Sequence, residues 1–105
     1  MINSRIHELQ KMLREEPNDS FLNYAMALEL EKKGEFKKAI SLIEELLSRD
    51  ENYLGAYYQL GKYYEEDKNI SGAKTIYQKG ITIAQKQKNR KAEGELKEAL
   101  LQLED

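Results

Sequence analysis

The sequence predicts an all-α fold built as an array of antiparallel helical hairpins, about six helices in all, and two observations carry that prediction. First, the chain repeats itself. Tyr24-Ala25-Met26-Ala27, Leu30, Phe36, Ala39, Leu42-Ile43 and Leu47 are answered 34 residues later by Tyr58-Gln59-Leu60-Gly61, Tyr64, Ile70, Ala73, Ile76-Tyr77 and Ile81. A fixed period of this length marks a helical repeat array, in which each unit buries its apolar face only against its neighbours. Second, apolar residues recur at three- and four-residue steps and nowhere alternate in twos with β-branched enrichment, so helices are expected and strands are not.

The elements follow in order. Ile6, Leu9, Met12 and Leu13 fall on one face of a first helix, with Asn3 or Ser4 available as its cap. Pro17 ends that helix, because the residue before a proline is pushed out of the helical region. Pro17-Asn18-Asp19-Ser20 supplies a turn and a new N-cap, and Phe21, Leu22, Ala25, Met26, Leu28 and Leu30 give the apolar positions of the second helix. It stops at Lys32-Lys33-Gly34, where cations suit the terminal carbonyls and glycine suits the left-handed position. The third helix, about Glu35 to Arg49, carries Phe36, Ala39, Ile40, Leu42, Ile43, Leu46 and Leu47 on a broad apolar face. The fourth is expected over about Tyr53 to Asp67 and the fifth over about Ser71 to Lys86, with the polar Lys68-Asn69 turn between them. A sixth, Arg90 to about Leu103, carries Ala92, Leu96, Ala99, Leu100 and Leu103. At 105 residues the chain is expected to form one domain: an N-terminal half-repeat helix (3–16), two repeats (20–53 and 54–87) and a capping helix (90–103).

Composition narrows the function. A formal charge of −2 argues against nucleic acid or an anionic membrane as partner, since both call for a basic surplus. With no cysteine, neither a disulfide framework nor a thiolate metal site can exist. His7 is the single histidine, so it cannot anchor a transition-metal site and is expected on the surface. Gly55, Gly61, Gly72, Gly80 and Gly94 are scattered and build no phosphate loop. The glutamates alternate with lysines at helical steps, as on a solvated face, and Lys86-Gln87-Lys88-Asn89-Arg90-Lys91 reads as a solvated helix junction. No catalytic residue, metal or cofactor is expected. The N-terminus is charged within a few residues and shows no signal-peptide run, so a cytoplasmic location is expected.

The pattern resembles the tetratricopeptide repeat family, in the style of a small bacterial member. The resemblance rests on Tyr57, Leu60-Gly61, Tyr64, Lys68-Asn69, Ala73, Tyr77, Gly80 and Gln85 in the second repeat, and on Asn23, Met26-Ala27, Leu30, Gly34-Glu35, Ala39, Ile43, Leu46 and Glu51 in the first. It implies a superhelix of hairpins in which Tyr57, Tyr64 and Tyr77 are core residues. Lysine in place of glycine at Lys68 implies a less sharp turn, and the missing proline at Gln85 implies a longer fifth helix. Gly80 stands where the family has a small alanine, so it is expected at a tight helix crossing that would accept alanine.

The resemblance further implies a non-enzymatic scaffold that binds a partner peptide or helix in a concave groove lined by the second, fourth and sixth helices. Tyr24 and Tyr58 recur on that side of each repeat, and with Leu28, Lys62 and Glu65 they are the expected partner-binding residues. Family members that grip carboxylate tails use lysine and asparagine where this chain has Tyr24 and Leu28, asparagine where it has Gln59, and lysine and arginine where it has Asn89 and Glu93, or Lys91 and Glu95 if the sixth helix slips by two; only Gln59 is similar, so that activity is not expected. The partner is expected to be a protein or peptide and the chain a monomer or weak homodimer. The alternative is a self-assembly unit, pairing the apolar end of the first or last helix with another copy.

Overall fold

The computed structural model describes residues 4–104. Asn3, a candidate cap of the first helix, lies outside them. The described residues form six helices: α1 (Ser4–Glu15), α2 (Ser20–Lys32), α3 (Phe36–Arg49), α4 (Gly55–Glu66), α5 (Ile70–Lys86) and α6 (Arg90–Gln102). Consecutive helices pack as hairpins, α1 on α2 and α2 on α3, then α4 on α5 and α5 on α6. The chain divides after Glu51 into two compact units of three helices each.

In unit 1, Leu9 of α1 meets Ala25 and Met26 of α2, with Ile6, Leu13, Leu22, Leu30 and Leu42 around them. Two residues expected in this core are outside it. Met12 is 42% exposed and Phe21 is 61% exposed. On α1 the inward face runs through Leu9 and Leu13, which turns Met12 outward. Asp19 caps α2 by accepting the Leu22 N–H at 2.8 Å. At the other end Gly34 takes φ +82°, while the Gly34 N–H donates to Glu31 O at 2.8 Å and the Glu35 N–H to Leu30 O at 2.9 Å. These paired bonds are the glycine-terminated helix stop expected there.

Unit 2 starts later than expected. Leu54 offers no side-chain cap, so the Ala56 and Tyr57 N–H groups bond carbonyls three residues back, at 3.1 and 3.2 Å, and regular helix begins only at Gly55. Tyr57 and Tyr77 are fully buried as expected. The third fully buried tyrosine is Tyr63, whereas Tyr64 is half-buried. α5 has 17 residues against 14 in α3, in keeping with the missing proline.

The Lys68 turn is a correction. Lys68 adopts φ +63°, with its N–H donating to Glu65 O at 3.0 Å and that of Asn69 to Tyr64 O at 2.8 Å, the same stop as at Gly34. Helix geometry is thus kept at the expense of placing lysine in the left-handed region. Gly80 does lie at a tight crossing, but tighter than alanine allows. A methyl group there would sit 2.7 Å from Cβ of Tyr57 and 3.1 Å from Cδ1 of Leu96. Cβ of Tyr57 is tied to the α4 backbone, so the clash cannot be relieved by rotating a side chain.

Candidate functional site

Tyr58, Lys62 and Glu65 stand four and three residues apart on α4, which puts them on one helix face. The support beneath them starts at Gly61. A methyl group on Gly61 would clash with Cε1 and Cζ of the Tyr77 ring, so the glycine lets that ring lie directly on the α4 backbone. From this seat the Tyr77 hydroxyl donates to Glu65 Oε2 at 2.5 Å, and its ring lies 6.2 Å from the Tyr58 centroid at 44°. Burial, then the Glu65 carboxylate that its hydroxyl donates to, raises the Tyr77 hydroxyl pKa above its ordinary value. Tyr58 is 39% exposed, with the Lys62 ammonium 5.8 Å from its ring centroid, within cation–π range. The structure therefore places Tyr58, Lys62 and Glu65 on one face of α4, with Tyr77 touching Tyr58 and Glu65. Beside Tyr58, Leu54, Asn89, Ala92, Glu95 and Leu96 line a notch of about 290 Å³. Asn89 caps α6 there by accepting the Ala92 N–H at 3.0 Å.

Tyr24 and Leu28 belong to unit 1, four residues apart on α2, both half-buried. Burial, and then the neighbouring Glu31 carboxylate, raises the pKa of the Tyr24 hydroxyl. Phe21 precedes Tyr24 by three residues on the same face and is more exposed than any of the five expected residues. The spacing 21, 24, 28 was available as a signal. It was masked because an isolated phenylalanine in an apolar-periodic helix reads as core.

Among the described residues no three His, Cys, Asp or Glu side chains group to hold a metal ion. His7 is exposed. No helix among them is long and apolar enough to cross a membrane.

Comparison with known proteins fixes the class. Residues 22–53 and 54–87 each match the tetratricopeptide repeat. The solution structure of a tetratricopeptide repeat domain protein from Salinibacter ruber is 39% identical, with 84% of this chain and 89% of that one aligned at a TM-score of 0.81. A crystal structure of the Salinibacter ruber domain aligns over 82% of this chain and 96% of that one, at 38% identity and TM-score 0.77. A protein from Bordetella parapertussis shares the fold over 98% of this chain and 87% of its own, at 23% identity and TM-score 0.80. The chain belongs to the tetratricopeptide repeat family. Domains of this family generally serve as protein-interaction modules and are typically non-catalytic.

Proposed function

We propose that this chain is a non-enzymatic scaffold that binds a peptide or helix of a partner protein through Tyr58, Lys62 and Glu65 on α4 and Tyr24 and Leu28 on α2. The observation that carries the reading is the braced aromatic at Tyr58. A ring in contact with both the Tyr77 ring and the Lys62 ammonium loses little freedom on binding, which is what an aromatic contact residue needs to contribute affinity. Its hydroxyl and the Lys62 and Glu65 charges add polar contacts that fix orientation.

The test is affinity capture with the full chain as bait, followed by titration of the captured partner against Tyr24→Ala and Tyr58→Ala. Each substitution should weaken binding by about 1 kcal/mol or more, the scale of an aromatic hot spot. Thermal unfolding of both variants should stay close to that of the wild type. If the partner binds both variants as tightly as wild type, the assignment of these faces is wrong.

A further inference from the structure

We infer that the junction of α1 and α2 takes a partner segment in which an apolar anchor is flanked by lysine or arginine. This rests on the protein-binding reading above and specifies the chemistry of what is bound. Phe21 and Met12, both large and exposed, open onto one cavity of about 300 Å³ whose remaining walls are Leu22, Glu15, Glu16 and Asp19. That volume is at the lower end for a small-molecule pocket and suits one anchoring side chain. Position 21 does not need an aromatic to fold: its counterpart one period later is the exposed Gly55.

The rim supplies the sign of the partner. Every ionisable group lining the cavity is a carboxylate. Glu15 and Glu16 are exposed and form no ion pair among the described residues, and Lys11 and Arg14 of the same helix neither line the cavity nor pair with them. Asp19, which also lines the cavity, uses one carboxylate oxygen on the Leu22 N–H. An apolar surface ringed by uncancelled negative charge favours cations beside the anchor and disfavours acidic segments, with most of the discrimination lost in high salt.

The experiment uses three synthetic twelve-residue peptides with the same phenylalanine and leucine anchors, flanked by lysine and arginine, by glutamine, or by glutamate. Binding to the full chain is followed by fluorescence anisotropy. The basic peptide should bind about tenfold more tightly than the acidic one, and the gap should narrow as salt is raised. Phe21→Ser should weaken the basic peptide about tenfold. The double variant Glu15→Lys/Glu16→Lys should reduce or reverse the preference, with circular dichroism verifying that both variants fold. Equal binding of the three peptides, or a basic peptide indifferent to Phe21→Ser, overturns the inference. So does concentration-dependent self-association in sedimentation that Phe21→Ser abolishes, since a second copy would then be the occupant. Peptide failure with partner capture still dependent on Tyr24 and Tyr58 removes this inference alone. Peptide binding at Phe21 with capture indifferent to both tyrosines removes the earlier reading and leaves this one.

Discussion

In unit 2 a tyrosine lies over a glycine at two places, Tyr77 on Gly61 and Tyr57 against Gly80. In unit 1 the positions one period earlier hold Ile43 with Ala27 and Asn23 with Leu46, all four of them buried. Bulk has moved between partners: where α4 is large and α5 small at one pair, α2 is small and α3 large. What the two units share is the filled volume of each pair, as expected of cores that tolerate exchange when total volume is kept. Asn23, relieved of filling space, donates its Nδ2 to Pro17 O at 3.0 Å and Asp19 O at 2.8 Å and so ties down the α1–α2 turn. At the pair of Tyr77 and Gly61, only the aromatic solution carries a polar handle. Tyr77 can brace Glu65 and Tyr58 through its hydroxyl and ring; Ile43 has nothing to offer the α2 face in the same way.

The sharpest way to break this comparison is to convert the unit 2 pair into the unit 1 pair. Gly61→Ala alone should destabilise by about 1 to 3 kcal/mol, because its methyl group has no space beneath the Tyr77 ring. Tyr77→Ile alone leaves a cavity. Joined, the two changes reproduce the Ala27 and Ile43 pair, and the double variant should be more stable than the sum of the single losses by at least about 0.5 kcal/mol in urea denaturation. Strict additivity would mean that the two positions do not exchange volume.

A smaller effect separates the handle from the bulk. Tyr77→Phe keeps the ring on Gly61 and removes the hydroxyl that meets Glu65, and should cost about 1 to 2 kcal/mol at neutral pH. Its pH dependence has a definite sign. The folded state raises the Tyr77 pKa above its unfolded value of about 10, so the contribution is fully present below that pH and is lost as pH rises beyond it. Wild type should therefore lose stability above about pH 10 more steeply than Tyr77→Phe. Tyr24, raised in the same direction, leaves a residual slope in both. Parallel profiles for the two proteins would show that the hydroxyl is not held as described.

The helix count, the period and the register of the small residues were legible in the sequence because each is written in spacing: Ala39 and Ala73, Gly61 and Ala27, the apolar steps of α3. Periodicity says which residues share a face, but not which face has a neighbour. That is why Met12 and Phe21, in step with core residues, were expected inside, and why Tyr64 was expected where Tyr63 is buried. That Tyr58, Lys62 and Glu65 share a face of α4 was legible, since four- and three-residue steps force it. Its brace from Tyr77 was not legible, because it depends on a ring from α5 crossing Gly61. The expected start of α4 and the expected softer turn at Lys68 failed where backbone geometry prevailed over residue preference.

That last position gives the finest test of the comparison. Gly34 and Lys68 sit one period apart at φ +82° and +63°, and both end their helix with the same pair of backbone bonds. For lysine the left-handed region costs about 1 to 2 kcal/mol, because Cβ crowds the following carbonyl. Glycine avoids that cost but gains unfolded-state freedom, which returns about 0.4 to 1 kcal/mol. Lys68→Gly should therefore stabilise by about 0.5 kcal/mol, the difference of the two. The reverse change in unit 1, Gly34→Lys, should destabilise by a similar amount, since a Cβ at Gly34 meets nothing within 4 Å and only the backbone is strained. Urea midpoints moving in opposite directions for the two substitutions would establish the turns as one motif with two residues. A Lys68→Gly variant less stable than wild type would show instead that the lysine side chain supports unit 2 in a way glycine cannot replace.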